Sequence, residues 1–250
     1  MIEQLAFAPR LLIASDFDGT LAEIVEDPDL ATPLARSKTA LEGLAGLQGT
    51  TVAIVSGRRR SQLTERFDDP GFILIGEHGI DHGEPTGPDT PPLTLARELV
   101  DAAARATPGA WVEHKARGVG FHYRAVPDPE QVLDDLRRSG GAIPGIQIME
   151  SKKILEFTDS PLNKGMALVA LKESLGVDRV LFMGDDVTDE TAFAALGESD
   201  VGVHVGSGPT LAGVIVPTPS ALADLLETLL AARAGAFPTS SGLRQGPALT

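Results

Sequence analysis

Asp16 and Asp18 stand one residue apart at the end of the apolar run Leu11-Leu12-Ile13-Ala14-Ser15, and Gly19-Thr20 follows them. Alternate residues of an extended chain point the same way, so the two carboxylates share a site where the strand pattern persists. Two adjacent negative charges repel unless something compensates them, and a divalent cation does so most readily. A second acidic group follows residues 180–183: Gly184-Asp185-Asp186-Val187-Thr188-Asp189-Glu190. Asp186 or Thr188 alone would cap a following helix. Asp185, Asp186, Asp189 and Glu190 together exceed that need and read as the second half of a hard-cation site.

Two further side chains are candidates for binding an anion. Ser56 ends the β-branched run 51–55. It either caps a helix over 59–67 or joins the free N–H groups of a strand-to-helix junction in holding phosphate. Lys164, in Asn163-Lys164-Gly165, opens a helix running to about residue 175. A lysine there opposes the helix dipole unless an anion is present; an exposed helical lysine is the alternative. His78 and His82 have the spacing of a metal pair on a helix, but the preceding strand and flanking glycines disfavour a helix and hence zinc. Asp-Gly is also a hairpin signal, although a strand as apolar as 11–15 fits the centre of a parallel sheet better than a hairpin edge.

These groups need elements to hold them. A strand at 11–15, a helix at 33–46 with Thr32 as its cap and Pro33 in its first position, and a strand at 51–55 make a β-α-β unit. A helix at 59–67 and a strand at 72–75 extend it. Residues 83–92 (Gly-Glu-Pro-Thr-Gly-Pro-Asp-Thr-Pro-Pro) read as a linker. The pattern then changes to helix 93–106, strands 111–115 and 119–124, helix 128–138, and strands 146–149 and 153–157. That order predicts a small antiparallel sheet with helices on one face, inserted into the parallel pattern. The parallel pattern resumes with helix 164–175, strand 180–183, short strands at 201–203 and 214–216, and a helix at 220–233. Residues 235–250 are rich in Gly, Ser and Pro and are expected to be a mobile tail.

The chain has 250 residues, 42% hydrophobic and 22% charged, with a formal net charge of -14. Such a balance is that of a globular protein and opposes binding to nucleic acid or an anionic membrane. An anionic substrate therefore needs local positive charge. With no cysteine there are no disulfides and no thiolate metal site, in keeping with a reducing compartment. No basic leader precedes a long apolar stretch, and no apolar stretch reaches membrane-spanning length; a soluble cytoplasmic protein, acting as a monomer, is the expectation.

Asp16-Phe17-Asp18-Gly19-Thr20-Leu21 resembles the first motif of the haloacid dehalogenase superfamily. Ser56, Lys164 and Asp185-Asp186 follow in the order of its remaining motifs. Within that superfamily the chain is similar to the trehalose-6-phosphate phosphatases, through Glu77-His78-Gly79, through Glu113-His114-Lys115 with His122-Tyr123-Arg124, and through Lys152-Lys153-Ile154-Leu155-Glu156. The resemblance implies an α/β fold, a Rossmann-like parallel-sheet hydrolase core with a smaller inserted α+β cap domain. The core is expected over 1–90 and 159–234, and the cap over 91–158. It implies Asp16 as nucleophile, Asp18 as acid and base, and Ser56 and Lys164 on the phosphoryl oxygens. It further implies Mg²⁺ held by Asp16, the carbonyl of Asp18 and Asp185, with Asp186 or Asp189 acting through water or from behind. Glu77, His78, Lys115, His122, Arg124, Lys152 and Glu156 are the expected substrate-binding residues, and the substrate is a small-molecule sugar phosphate. The family often continues Glu-Val-Arg-Pro after the last glutamate, whereas this chain has Phe157-Thr158-Asp159. A phosphatase of a related sugar phosphate or trehalose-like pseudodisaccharide phosphate, a phosphomutase, and a non-catalytic sugar-phosphate sensor are the competing readings.

Overall fold

A computed structural model describes residues 1–68, 71–83, 87–151 and 153–237. Its elements are α1 (Ile2–Ala6), β1 (Leu11–Ser15), α2 (Ala35–Ala45), β2 (Thr50–Val55), α3 (Arg60–Phe67) and β3 (Ile73–Ile75), then α4 (Pro91–Ala106), β4 (Trp111–His114), β5 (Gly118–His122), α5 (Glu130–Gly141), β6 (Gln147–Ser151) and β7 (Ile154–Thr158). The chain returns through α6 (Lys164–Leu175), β8 (Arg179–Gly184), α7 (Glu190–Ala194), β9 (Val201–Val205), β10 (Val214–Val216) and α8 (Pro219–Ala236).

The first sheet has the order β10-β9-β8-β1-β2-β3 and is parallel throughout. Every residue of β1 is buried, as its uninterrupted apolar sequence requires of a strand covered on both faces. One face packs under α1, α2 and α8, with Ile13, Leu41, Leu181 and Leu226 in the shared core. The other packs under α6 and α7 through Leu12, Val55, Leu168 and Phe193. From β1 the chain winds outward through β2 and β3, and from β8 outward the other way through β9 and β10. Strand order therefore reverses between β1 and β8, and ligands bind in the crevice that such a reversal leaves at the carboxyl ends.

The second sheet, β4-β5-β7-β6, is antiparallel. Val119, Phe121, Leu155 and Phe157 pack with Leu133 and Leu136 of α5 and with Ala96 and Val100 of α4. Side chains alternate across a strand, so Glu113, His122 and Glu156 fall on the opposite face, which is turned to the core domain. Among the described residues no helix is long and apolar enough to cross a membrane.

Four boundaries differ from expectation. Thr32 does not cap α2: the Leu34 N–H donates to Leu21 O at 2.8 Å and holds the chain extended through Leu34, which becomes the N-cap. Ser56 does not cap α3, because Ser56 N–H donates to Ile75 O, and Glu77 and His78 donate back to Arg58 O and Ser56 O. The helix starts at Arg60, behind Arg59. Pro91 and Pro92, read as linker, instead open α4 behind the Thr90 cap, where a missing N–H and a fixed φ suit the first turn. At the other end α8 runs through Ala236, into the stretch expected to be a tail; 238–250 lie outside the described residues.

Arg233 fastens α8 to the rest of the core. It is 0% exposed and donates to Leu5 O, Ala6 O, Ala8 O, Gln48 O, Gly49 O and Thr50 Oγ1. Burial lowers its pKa from the usual arginine range. Arg233→Met should leave these acceptors unsatisfied and cost about 3 kcal/mol, read as a lower urea midpoint at unchanged slope.

Candidate active site

Asp16 leaves the end of β1 and is 4% exposed. Its backbone N–H donates to Met183 O, so the β1/β8 pairing continues one residue past the strand. Gly19 takes φ +84° and passes so close to Asp185 that an added Cβ would lie 2.0 Å from Oδ2. The turn thus needs glycine both for its backbone and for room. It delivers Thr20, whose hydroxyl donates to Asp185 Oδ1 at 3.0 Å. Asp16, Asp185 and Asp189 each offer a carboxylate oxygen within 4.8 Å of the others.

Lys164 enters this acidic cluster from the first turn of α6, which Asn163 caps by accepting from Met166 N–H. Only 1% exposed, it places Nζ 3.0 Å from Asp16 Oδ1 and 2.7 Å from Asp189 Oδ1. Burial alone would lower its pKa; Asp16 and then Asp189 overcome that and hold the ammonium well above the usual lysine range. The other Asp189 oxygen accepts from the backbone N–H groups of Asp185 and Asp186, each at 3.0 Å. Asp189, read from sequence as one of four acids of a cation site and, from the resemblance, as acting through water or from behind, lies inside the cluster. Asp186 accepts from Val187 N–H as a helix cap and also lines the cavity.

Asp18 turns another way. Arg58 donates to both of its oxygens, Nε at 2.7 Å and Nη2 at 2.6 Å, and also to Pro28 O. The sequence reading missed Arg58, although it sits two residues after Ser56; a lone arginine after a strand gives no hint of which acid it will meet. Ser56 is buried on the cavity wall, its Oγ accepting from Arg58 N–H at 3.3 Å. Asp16, Asp18, Ser56 and Lys164 therefore line one cavity of about 670 Å³ between the two sheets, within the size range of small-molecule sites.

The second sheet forms the opposite wall. Lys115 Nζ donates to Glu156 Oε2 at 2.6 Å and across to Gly57 O at 3.1 Å. Burial opposes both charges, but each stabilises the other: Lys115 lies above the usual lysine range and Glu156 far below the usual carboxylate range. His78 adds Nε2 3.6 Å from Glu156, and its buried Nδ1 has no hydrogen-bond partner among the described residues. Gly57 makes room for that ring; a Cβ there would lie 2.6 Å from His78 Cε1. Glu113, quoted in the motif but given no role, accepts from His122 Nε2 at 3.1 Å and faces Arg59 at 3.7 Å. Burial pushes its carboxyl up, and His122 and Lys115 bring it below the usual range.

Other expected binding residues have different surroundings. Both Glu77 oxygens accept from Ala116 N–H, at 2.8 and 2.7 Å, so this buried acid ties the core to the β4–β5 turn. Burial raises its pKa against that hydrogen bond. Arg124 lines the cavity and donates to Val25 O and Glu26 O in the loop after β1. Lys152 lies outside the described residues. Thr158 and Asp159, where the chain departs from the family pattern, are held by Arg117: Thr158 Oγ1 donates to Arg117 O at 2.7 Å, and the guanidinium and Thr90 hydroxyl bond Asp159. They knit the two chain crossings between the sheets.

Lys115→Ala would strand Glu156 in a site built for an ion pair. Breaking a buried pair costs about 3–5 kcal/mol, a penalty the protein can escape by letting the second sheet swing off the core and hydrate Glu156. Faster amide exchange at the β4–β5 turn with a smaller loss of global stability is the expected result. Glu156 also sets a pH dependence. Its folded pKa is depressed, so its contribution is present above the ordinary value of 4.5 and lost as pH falls through the folded value.

A parallel core with acids at its switch point, closed over by an inserted antiparallel domain, is the capped α/β architecture of the haloacid dehalogenase superfamily. The trehalose-phosphatase family model matches residues 14–212, and the chain belongs to that family. It is 33% identical over 237 residues to a trehalose-phosphate phosphatase of Mycobacterium marinum, covering 86% of this chain and 60% of that protein's length. The chain thus spans about three-fifths of that relative. The C-terminal domain of C. albicans trehalose-6-phosphate phosphatase shares the fold, with a TM-score of 0.80 at 24% identity over 92% of this chain and 95% of that one. Aspergillus fumigatus trehalose-6-phosphate phosphatase gives a TM-score of 0.65 at 26% identity, over 94% and 96%.

Proposed function

We propose that this protein hydrolyses trehalose 6-phosphate to trehalose and inorganic phosphate, using Asp16 as nucleophile. The observation that carries the reading is the buried Asp16 carboxylate, held by Lys164 at the floor of a cavity whose opposite wall presents Lys115, His122, Glu113 and Glu156. That pairing of a phosphoryl-transfer floor with a wall of hydrogen-bonding groups suits a polyhydroxylated phosphate monoester. Family membership supports the same substrate.

Mg²⁺ fits the acidic cluster. Asp16, Asp185 and Asp189 converge, with the Lys164 ammonium on Asp16 and Asp189, and so bring three hard carboxylate donors together. When bound, the ion would neutralise charge on the phosphoryl group and on the carboxylate that must approach it. In the first step the Asp16 carboxylate forms a bond to phosphorus as the bond from phosphorus to the sugar oxygen breaks, and Asp18 gives that oxygen a proton. Lys164 and the Ser56 hydroxyl stabilise the nonbridging oxygens. In the second step Asp18 takes a proton from water as it attacks the phosphoryl group on Asp16, releasing phosphate. Arg58 donates to both Asp18 oxygens and so orients the carboxyl group, while each oxygen keeps a further hydrogen-bonding position for the leaving group or water. The second sheet covers the reaction and excludes bulk water, and the Glu77 and Lys115 contacts to the other domain serve that closure.

Phosphate release from trehalose 6-phosphate, measured with Mg²⁺ and again with a chelator, tests this reading. Release that the chelator abolishes is expected. Binding without phosphate release would favour the sensor, and conversion to an isomeric phosphate the mutase.

A further inference from the structure

Part of the cavity wall is left over by the chemistry at Asp16. Trp111, the only tryptophan in the chain, lines the cavity and is 50% exposed. Its ring lies on that of its cross-strand partner His122, with centroids 3.4 Å apart and planes within 13°. That stacking covers one indole face while half of the residue stays exposed. We propose that Trp111, backed by His122 and flanked by Glu113, is the platform for the sugar ring remote from the phosphate and so selects a disaccharide phosphate over a hexose phosphate.

Placement supports this role. Glu113 and Trp111 share the cavity face of β4, while Val112 between them packs with the apolar interior of its own domain. Lys115, at the other end of this hairpin arm, touches Gly57 O beside Ser56 and marks the phosphate end. At the usual strand rise, Trp111 lies roughly 13 Å further along. One hexose ring anchored at the phosphate end does not reach that far, whereas two joined rings do.

Chemistry supports it as well. A pyranose presents a flat face of C–H groups and a rim of hydroxyls. An indole face matches the first and the Glu113 carboxylate the second. The platform is also preorganised, since His122 is fixed between the indole and Glu113. Across the cavity, exposed Ile24 and Val25 supply an apolar counter-wall, and Arg124 holds their loop by its carbonyls.

This assignment rests on the hydrolase reading above, and its test separates the two. Initial rates for wild type, W111A and W111F are compared on trehalose 6-phosphate, glucose 6-phosphate and an aryl phosphate. W111A should lose about tenfold in kcat/KM on trehalose 6-phosphate, with the other two substrates within about twofold, and W111F should retain most of the preference. Emission of the single tryptophan in wild type should shift on adding trehalose and stay unchanged with equal glucose. If wild type prefers trehalose 6-phosphate and W111A keeps the same preference, or loses all three substrates equally, the platform is overturned and the hydrolase stands. If wild type cleaves all three without preference, the platform and the choice of substrate fall while the phosphoryl-transfer floor stands; if it cleaves none, the hydrolase reading falls as well.

Discussion

Asp16→Asn should lower turnover by about 10⁴-fold or more while the protein folds normally. The substitution preserves size and leaves an amide oxygen that can accept from Lys164, so the packing around this buried side chain is kept. What it removes is the anionic nucleophile, for which a carboxamide is no substitute. Stability gives a second readout. Asp16 is one of three carboxylates crowded within 4.8 Å, so neutralising it relieves repulsion in the metal-free protein and should leave Tm unchanged or raised. Near-normal turnover in this variant would remove Asp16 from the role of nucleophile.

Lys164→Met should damage both activity and the metal-free fold. Methionine fills much of the same space without charge and leaves Asp16 and Asp189 facing each other with no ammonium between them. A buried charge stripped of its partner costs about 3–5 kcal/mol, and a lost phosphoryl-stabilising donor costs about 10²–10³ in turnover. Mg²⁺ should restore part of the stability by supplying the missing positive charge. The expected signature is a low Tm without Mg²⁺ and a larger rise on adding it than wild type shows. Because the folded pKa of Lys164 is raised, its stabilising charge is fully present below the ordinary value of 10.5 and is lost only as pH rises through the higher folded value. The contrast between variant and wild type should therefore persist across neutral pH. Equal Tm and equal response to Mg²⁺ would contradict the charge balance described here.

The parallel core was legible because its strands are apolar on both faces and end in the acids that line the cavity. Leu11–Ser15 into Asp16 and Arg179–Gly184 into Asp185 are local patterns, and the sheet brings them together by pairing β1 with β8. The inserted domain was legible as a change in pattern after a run rich in proline and glycine. Helix starts were less so, since a distant backbone bond such as Leu34 N–H to Leu21 O decides whether a promising cap is used.

Within the site, the acids could be read and their partners could not. Asp18 meets Arg58 from the next strand's end, and Arg124 reaches a loop nearly a hundred residues earlier in the chain. Neither contact has a local signature. Glu77 shows the converse: its motif marks the neighbourhood of the site, but the bond to Ala116 N–H makes it a tie between domains. Trp111 has no local signature beyond its strand, and only the register with His122 places it on the cavity face.

The most direct test of the central claim is kcat/KM for trehalose 6-phosphate against glucose 6-phosphate and sucrose 6-phosphate, with Mg²⁺ present. A lead of about a hundredfold or more for trehalose 6-phosphate, roughly 2.7 kcal/mol of transition-state discrimination, is the predicted result. Efficient cleavage of all three without preference would leave the phosphoryl-transfer floor in place and contradict the substrate.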